Sequence, residues 1–442
     1  MIKKLLGCVI LAAGLWFFAI PGLTVCWYLL TDKGLHGDGV SSFVYSRHKM
    51  LSDDYAKYAQ ERIKSGKAET LKTHQIAETE WPMFGTCFYL WATESLQKAW
   101  EKDNSLSTEA PKVYAREAID TSLALALDPG NAKWVKDHWG EDYMNRENTF
   151  YRMLLISAIV SHHNLTGEEK HFVLLRKQVD GLAKEIDESA VGLLDDYPSQ
   201  CYPADVVAAI GAIQQADAVL GSDHSAMITR SLRAFTGNMA EPYRLPPYAA
   251  DAETGQRFDD SRGCGNSYFT TFGPAIWPDK DPGWYQSYAD NYWQKNWFAA
   301  GFREFPKGTG DSYYMDVDAG PVFGGLGTAA TAFGIGAART NGRFDHASSL
   351  SYEMIAASWP LANGTLLFPR LFSNGDHAPY LGEVSILFQL SREPVNSDSA
   401  VRRSGSIPAC VWLMLLGYAF LAYITCWPGW RLIRGKKKSR KP

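Results

Sequence analysis

Metal and redox patterns are missing from this sequence. It contains no CxxC and no HExxH, so no zinc site, redox pair or cofactor is signalled. Cysteine is scarce where a disulfide framework would need it. Of the seven cysteines, Cys8, Cys26, Cys410 and Cys426 fall in apolar runs at the two ends, leaving Cys87, Cys201 and Cys264 between them. Three cannot all pair within one chain, so a framework is excluded, and Cys201–Cys264 is a possible bridge. Runs of alternating, strand-like sequence are also scarce. An excess of basic charge is missing from the long middle. The formal net charge is −4, but Lys3, Lys4 and the tail RLIRGKKKSRKP hold many of the cations, so the body is more acidic than the total. An acidic body excludes nucleic acid as the partner, because phosphate binding needs a basic surface.

Apolar material is plentiful instead, at 46% hydrophobic and 13% aromatic residues over 442 positions. That suffices for one large core or two ordinary ones. Residues 5–30 and 407–427 carry no charge, and each reaches the roughly 20 residues that cross a bilayer. Basic residues flank the outer end of both, so the positive-inside rule predicts cytoplasmic termini and an extracytoplasmic middle. A cleavable signal peptide is the rival reading of the first run, but its apolar stretch is long and no clear small-residue cleavage site follows. The expected layout is a cytoplasmic terminus and transmembrane helix over 1–30, a linker over 31–50, a helical domain over 51–392, a linker over 393–406, a second transmembrane helix over 407–427 and a basic tail over 428–442.

Between the anchors, helical periodicity predicts twelve helices near 51–66, 82–101, 111–127, 146–163, 169–187, 203–220, 223–236, 264–274, 284–299, 319–339, 343–358 and 381–391. The blocks 111–127 and 169–187 carry charge on one face, whereas 82–101, 203–220 and 319–339 are apolar or small all round. A helix apolar on every side is buried on every side. Twelve helices alternately exposed and buried predict an all-α (α/α)6 toroid, with an irregular α-bundle as the alternative. The stretch Gly325–Ala330 matches a dinucleotide fingerprint in form only, because no strand precedes it, and close helix packing explains its small residues.

In a toroid the pocket lies where the inner helices open at one end. The segments entering those helices are rich in carboxylates and aromatics: Glu80 and Trp81; Glu147; Asp196, Tyr197, Cys201, Tyr202 and Asp205; Cys264; Asp318; and Asp376, His377, Tyr380 and Glu383. Asp before a helix is commonly an N-cap worth about 1 kcal/mol, and that bland reading suits Asp205 and Asp318 individually. Asp196 before Tyr197-Pro198 is also ordinary turn chemistry. Six clusters meeting at one mouth predict more. Opposed carboxylates in a partly dry pocket push each other's pKa apart, leaving one as acid and one as base. Asp196 and Asp205 are the expected central pair, with Glu80, Asp318 and Glu383 around them; Trp81, Glu147, Tyr197, Cys201, Tyr202, Cys264, Arg303, Asp376, His377 and Tyr380 are expected to contact substrate.

From the second hairpin onward the chain resembles the linalool dehydratase/isomerases. The likeness runs through Trp139-Gly140, Glu147-Asn148, Tyr151, Leu165-Thr166-Gly167, Glu185-Ile186 and Pro198. It continues in Asp316-Val317-Asp318-Ala319-Gly320 and in Glu383 with Ile386-Leu387-Phe388, and spans roughly residues 70–392. The resemblance implies an extracytoplasmic (α/α)6 enzyme that dehydrates or isomerises small allylic alcohols without metal or organic cofactor. Two departures bear on the chemistry. The family's two pocket cysteines fall at Asp196 and Asp205, and its pocket histidine falls at Leu154; its N-terminal catalytic aspartate has no match here. Carboxylates in place of thiols favour acid/base work. Three functions follow as expectations: a membrane-tethered dehydratase or isomerase of a hydroxylated, terpenoid-like small molecule; a glycan-processing hydrolase, lyase or epimerase; and a membrane-held binding or scaffold protein. A homo-oligomer is compatible with each.

Overall fold

The computed structural model describes residues 1–37, 39–280, 283–310, 312–396, 400–401 and 405–434. The tail cations Lys436, Lys437, Lys438, Arg440 and Lys441 therefore lie outside the described residues. Within them the chain is mostly helical, with a few short strands.

The first apolar run forms one long helix, α1 (Ile2–Thr31), with a π turn at Leu15–Ala19. Pro21 has no N–H to give the carbonyl four residues earlier, on Phe17, and the Trp359 indole donates to that oxygen at 2.6 Å. Helix α2 (Ser42–Ser65) begins earlier than the sequence pattern indicates. Its start is built by Asp32, which accepts from the Phe43 amide at 3.1 Å and from the Ser41 and Ser42 hydroxyls at 2.7 and 2.9 Å. The segment read as a linker is thus helical from Ser42, and Gly66 ends it in the left-handed conformation.

There follow α3 (Trp81–Lys102), α4 (Arg116–Leu127), α5 (Thr149–Thr166), α6 (Phe172–Glu188) and α7 (Pro203–Leu220). Next come α8 (Ser225–Ser231), α9 (Gly263–Ile276) and α10 (Trp284–Tyr292). A hairpin of β1 (Trp293–Lys295) and β2 (Ala300–Phe302) precedes a three-stranded antiparallel meander, β3 (Tyr313–Asp316), β4 (Gly320–Phe323) and β5 (Leu326–Gly327). Helices α11 (Thr328–Thr340), α12 (Phe344–Ser358) and α13 (Leu381–Ser391) complete the body, and α14 (Ala409–Arg434) ends the described chain. Two helices expected from sequence give way in part to strands: the one read over 284–299 stops at Tyr292, and the one read over 319–339 starts at Thr328. The cause in the second case is glycine. Gly320, Gly324 and Gly325 take φ of 61°, 59° and 83°, conformations that side chains with a Cβ avoid and that turn the chain back on itself.

The odd-numbered helices from α3 to α13 contact one another in succession, and α13 returns to pack on α3. Even-numbered helices lie against them: α4 on α3 and α5, α6 on α5 and α7, α10 on α9, α12 on α11, and α2 on α13. Burial follows the same alternation. Every residue of α13 from Glu383 to Ser391 is buried, whereas α6 buries one stripe, Leu175, Gln178, Val179, Leu182, Ala183 and Ile186, the helical spacing of a one-sided helix.

Helices α1 and α14 are both long and apolar enough to cross a membrane. They pack antiparallel, Gly7 beside Gly429, Gly14 beside Thr425 and Cys426, and Gly22 beside Tyr418. A Cβ on Gly7 would stand 2.7 Å from the Gly429 carbonyl, so the approach depends on small residues, as in close-packed membrane helices.

Candidate functional site

The first turns of α3, α5, α7, α9, α11 and α13 share one cavity of about 930 Å3, at the upper end of ligand-pocket sizes. Trp81 and Phe84, Phe150, Ala204 and Asp205, Cys264 and Gly265, Thr328 and Ala329, and Leu381 and Gly382 are their contributions. Deeper in, Phe88, Tyr268, Phe333 and Ile386 make an apolar floor. Phe84 and Phe88 lie 4.3 Å apart, ring centre to ring centre, and Phe88 meets Phe333 at 5.8 Å. The positive ends of helix dipoles point toward such a mouth and favour negative charge there.

Five carboxyl groups line this largely apolar space: Glu80, Asp196, Asp205, Asp316 and Asp318, of which Asp316 is ion-paired with Arg262. Glu80, the N-cap of α3, is buried and accepts a hydrogen bond from the Tyr197 hydroxyl. Burial pushes its pKa up from 4.5 to about 7; the tyrosine bond opposes the shift and Asp318 adds to it. Asp205 is pushed further up, by burial first and then by Asp318 and Glu80. Its side chain keeps some accessible surface because it faces the cavity space, but protein encloses that space. Asp318 stands at the exposed rim, in the turn between β3 and β4, and accepts from the Tyr248 hydroxyl. The surrounding protein raises it as well. No Lys or Arg forms an ion pair with Glu80, Asp205 or Asp318 among the described residues.

Asp196 differs from Glu80, Asp205 and Asp318. One of its oxygens accepts from the Phe150 amide at 2.7 Å and the other from the Tyr202 amide at 3.0 Å, so it staples the starts of α5 and α7 together. Its pKa is raised by burial and by Asp205, and these two amide bonds pull the other way. The capping role that sequence patterns assign to Asp205 thus belongs to Asp196, and the Asp205 side chain makes no cap bond.

Of the residues singled out from sequence, Glu80, Trp81, Asp196, Tyr197, Tyr202, Asp205, Cys264 and Asp318 line the cavity. The others lie off its wall. Glu147 accepts from the Asp195 amide at 2.7 Å and pins that loop. Cys201 is fully buried beside Ala250, and Cys201 and Cys264 are free thiols. The Cys264 thiol lies 3.1 Å from Glu304, and burial raises its pKa well above the usual thiol value, which leaves it a poor nucleophile. Arg303 donates to Gln294 at 2.8 Å and to the Phe305 carbonyl at 3.2 Å. Asp376 is exposed. His377 is buried, its carbonyl accepting from the Tyr58 hydroxyl at 2.6 Å. Tyr380 packs between Tyr55 and Tyr58 under the Arg370 guanidinium, 4.1 Å from the ring centre. Glu383 is ion-paired with Arg370 and accepts from the Leu366 amide at 2.8 Å.

Several cavity residues escaped the sequence-based set of site residues, Tyr248 and Tyr268 among them. Tyr248 holds Asp318 from a proline-rich loop between α8 and α9 that has no periodic signal. Tyr268 is 5% exposed and its hydroxyl has no hydrogen-bond partner among the described residues. Its place in an aromatic-rich helix start gave the only hint. In comparisons with known proteins, no family model matches the chain and no curated protein is significantly similar to it.

Proposed function

We propose that the chain is a membrane-tethered acid/base enzyme that eliminates water from, or isomerises, a hydroxylated substrate with an apolar, terpenoid-like body. The observation that carries this reading is the set Glu80, Asp205 and Asp318, brought from separate hairpins into one apolar cavity with raised pKa values and, among the described residues, no ion pair to Lys or Arg. Unpaired carboxyls whose pKa values are raised toward neutrality, as those of Glu80 and Asp205 are, suit proton transfer far better than they suit stability. The aromatic floor supports an isoprenoid-like body over a sugar, whose hydroxyls would be stranded against Phe84, Phe88 and Phe333.

The roles follow from the environments. Asp205, the more strongly raised of the two, donates its proton to the substrate hydroxyl as the C–O bond breaks and water leaves. Glu80, held as an anion by the Tyr197 hydroxyl, takes a proton from the adjacent carbon as the C=C bond forms. Asp205 ends ionised and Glu80 protonated, and transfer of that proton through water restores both. Asp318 at the rim raises the other two and keeps them out of a doubly ionised state. The succession of α3 to α13, closing through the α13–α3 contact, supports an (α/α)6 toroid, and with the motifs quoted above it supports kinship with the linalool dehydratase/isomerases. Antiparallel packing of α1 and α14 brings Lys3, Lys4, Arg431 and Arg434 to one end, which supports cytoplasmic termini and an extracytoplasmic body.

The test is conversion of C10 to C20 tertiary and allylic alcohols to alkenes by the full chain in detergent, read by gas chromatography and mass spectrometry. Asp205→Asn and Glu80→Gln are each expected to lower turnover by roughly 10^3, within the range of general acid/base contributions. Turnover unchanged in both variants ends the acid/base assignment.

A further inference from the structure

The residue that follows α12, Trp359, joins the membrane pair to the rim of the cavity. Its indole donates to the Phe17 carbonyl of α1, and its ring lies 4.0 Å from Tyr418 of α14 and 5.7 Å from Phe368. Phe368 and Phe372 line the cavity, yet they are 41% and 65% exposed, and Leu371 between them is 66% exposed. Across the mouth, Met315 of β3 lines the cavity too and is 75% exposed. Apolar side chains gathered at one opening are the mark of a surface that meets something other than water.

The lengths of the two helices say what that is. From Lys4 to Phe17 is roughly 20 Å of helix, and from Tyr418 to Arg431 it is again roughly 20 Å, at 1.5 Å per residue. A hydrocarbon core is about 30 Å thick. With the terminal charges at one membrane face, the level of Phe17, Tyr418 and Trp359 falls inside the opposite boundary. The rim beside them is then seated in the lipid.

We propose that the cavity opens onto the bilayer and that its substrate, an isoprenoid alcohol dissolved in the membrane, enters from the lipid phase. This rests on the acid/base reading of the cavity and names where its substrate comes from. Phe368, Phe372 and Met315 form the greasy sill over which the chain slides, and the hydroxyl arrives among Glu80, Asp205 and Asp318.

The test uses the full chain and a C20 isoprenoid alcohol bearing a diazirine, presented either in phosphatidylcholine vesicles or in detergent micelles. Photolabelled peptides from the wild type should map to the cavity wall in both settings. The pair Leu371→Asp with Phe323→Asp places charge on two exposed residues that do not line the cavity, and charge is costly at the lipid boundary. It should lower vesicle labelling by about tenfold and leave micelle labelling unchanged. Equal vesicle labelling of variant and wild type overturns the lipid route and leaves the acid/base site standing. A cavity unlabelled even in micelles overturns both. A readout independent of the variants is labelling by photoactivatable phosphatidylcholine in vesicles: the peptide holding Phe368 to Phe372 should be modified, and an unmodified peptide sinks the seated rim.

Discussion

Two groups of buried carboxylates occupy the same end of the helices and are treated in opposite ways. Glu304 and Asp316 share Arg262, each at 2.8 Å, with the Arg262 guanidinium laid over the Tyr248 ring at 4.2 Å. Glu383 is held by Arg370. Burial raises Glu304 and Glu383, and the arginine beside each opposes it. Glu80 and Asp205 receive no such partner among the described residues; their neighbours are other carboxyls and, for Glu80, a tyrosine hydroxyl. Arg262 lies over the ring of Tyr248, the residue that bonds Asp318, so a cation stands at the same mouth and pairs with Glu304 and Asp316 instead. The difference separates acids that hold the mouth together from acids left free to exchange protons.

The comparison breaks most readily at Arg262. If that guanidinium is what tames Glu304 and Asp316, Arg262→Met leaves a buried carboxylate without its cation and costs about 3 kcal/mol or more. Thermal unfolding followed by circular dichroism in detergent measures it. A melting temperature equal to wild type would mean that pairing is not what distinguishes the two groups.

A smaller effect of opposite sign is expected at Glu80. Its native pKa of about 7 lies above the ordinary 4.5, so between those values the unfolded chain gives up its proton before the folded one. Stability therefore falls as pH rises through that window and levels off above it. Glu80→Gln removes the slope. At pH 8 the variant should unfold later than wild type by up to about 3 kcal/mol, and at pH 4 the two should be alike. A variant that is less stable at pH 8 would move Glu80 into the structural group.

Much of the scaffold was legible because burial on all sides leaves a mark in composition. The segments Pro203–Leu220 and Leu381–Ser391 form helices at the bounds their apolar patterns indicate. Where glycine changes the backbone, pattern fails: Ala319 to Gly327 has the small-residue texture of a buried helix and is a β-meander. The site was legible by position along the chain and illegible by direction around each helix. Leu381, Gly382, Ser385 and Ile386 face the cavity, while Glu383, one residue further round from Gly382, turns about 100° to Arg370. Asp196 and Asp205 look equivalent in sequence, as two acids in one loop and its helix. Only the two amides that point at Asp196 tell the cap from the free carboxyl.

Tyr268 gives the finest test of the distinction, because it is neither paired nor charged. A buried hydroxyl without a partner costs roughly 1 kcal/mol, and its carbon skeleton is already packed against Phe84, Phe272 and Phe333. Tyr268→Phe keeps those ring contacts and deletes only the unpaired oxygen. If the hydroxyl waits for a substrate oxygen, the variant gains about 1 kcal/mol in unfolding free energy and loses about tenfold in kcat/KM, most of it in KM. If Tyr268 is merely a core aromatic with a misplaced oxygen, stability rises in the same way and the kinetics stay level. The two readings agree on the melting temperature, so the KM alone decides between them.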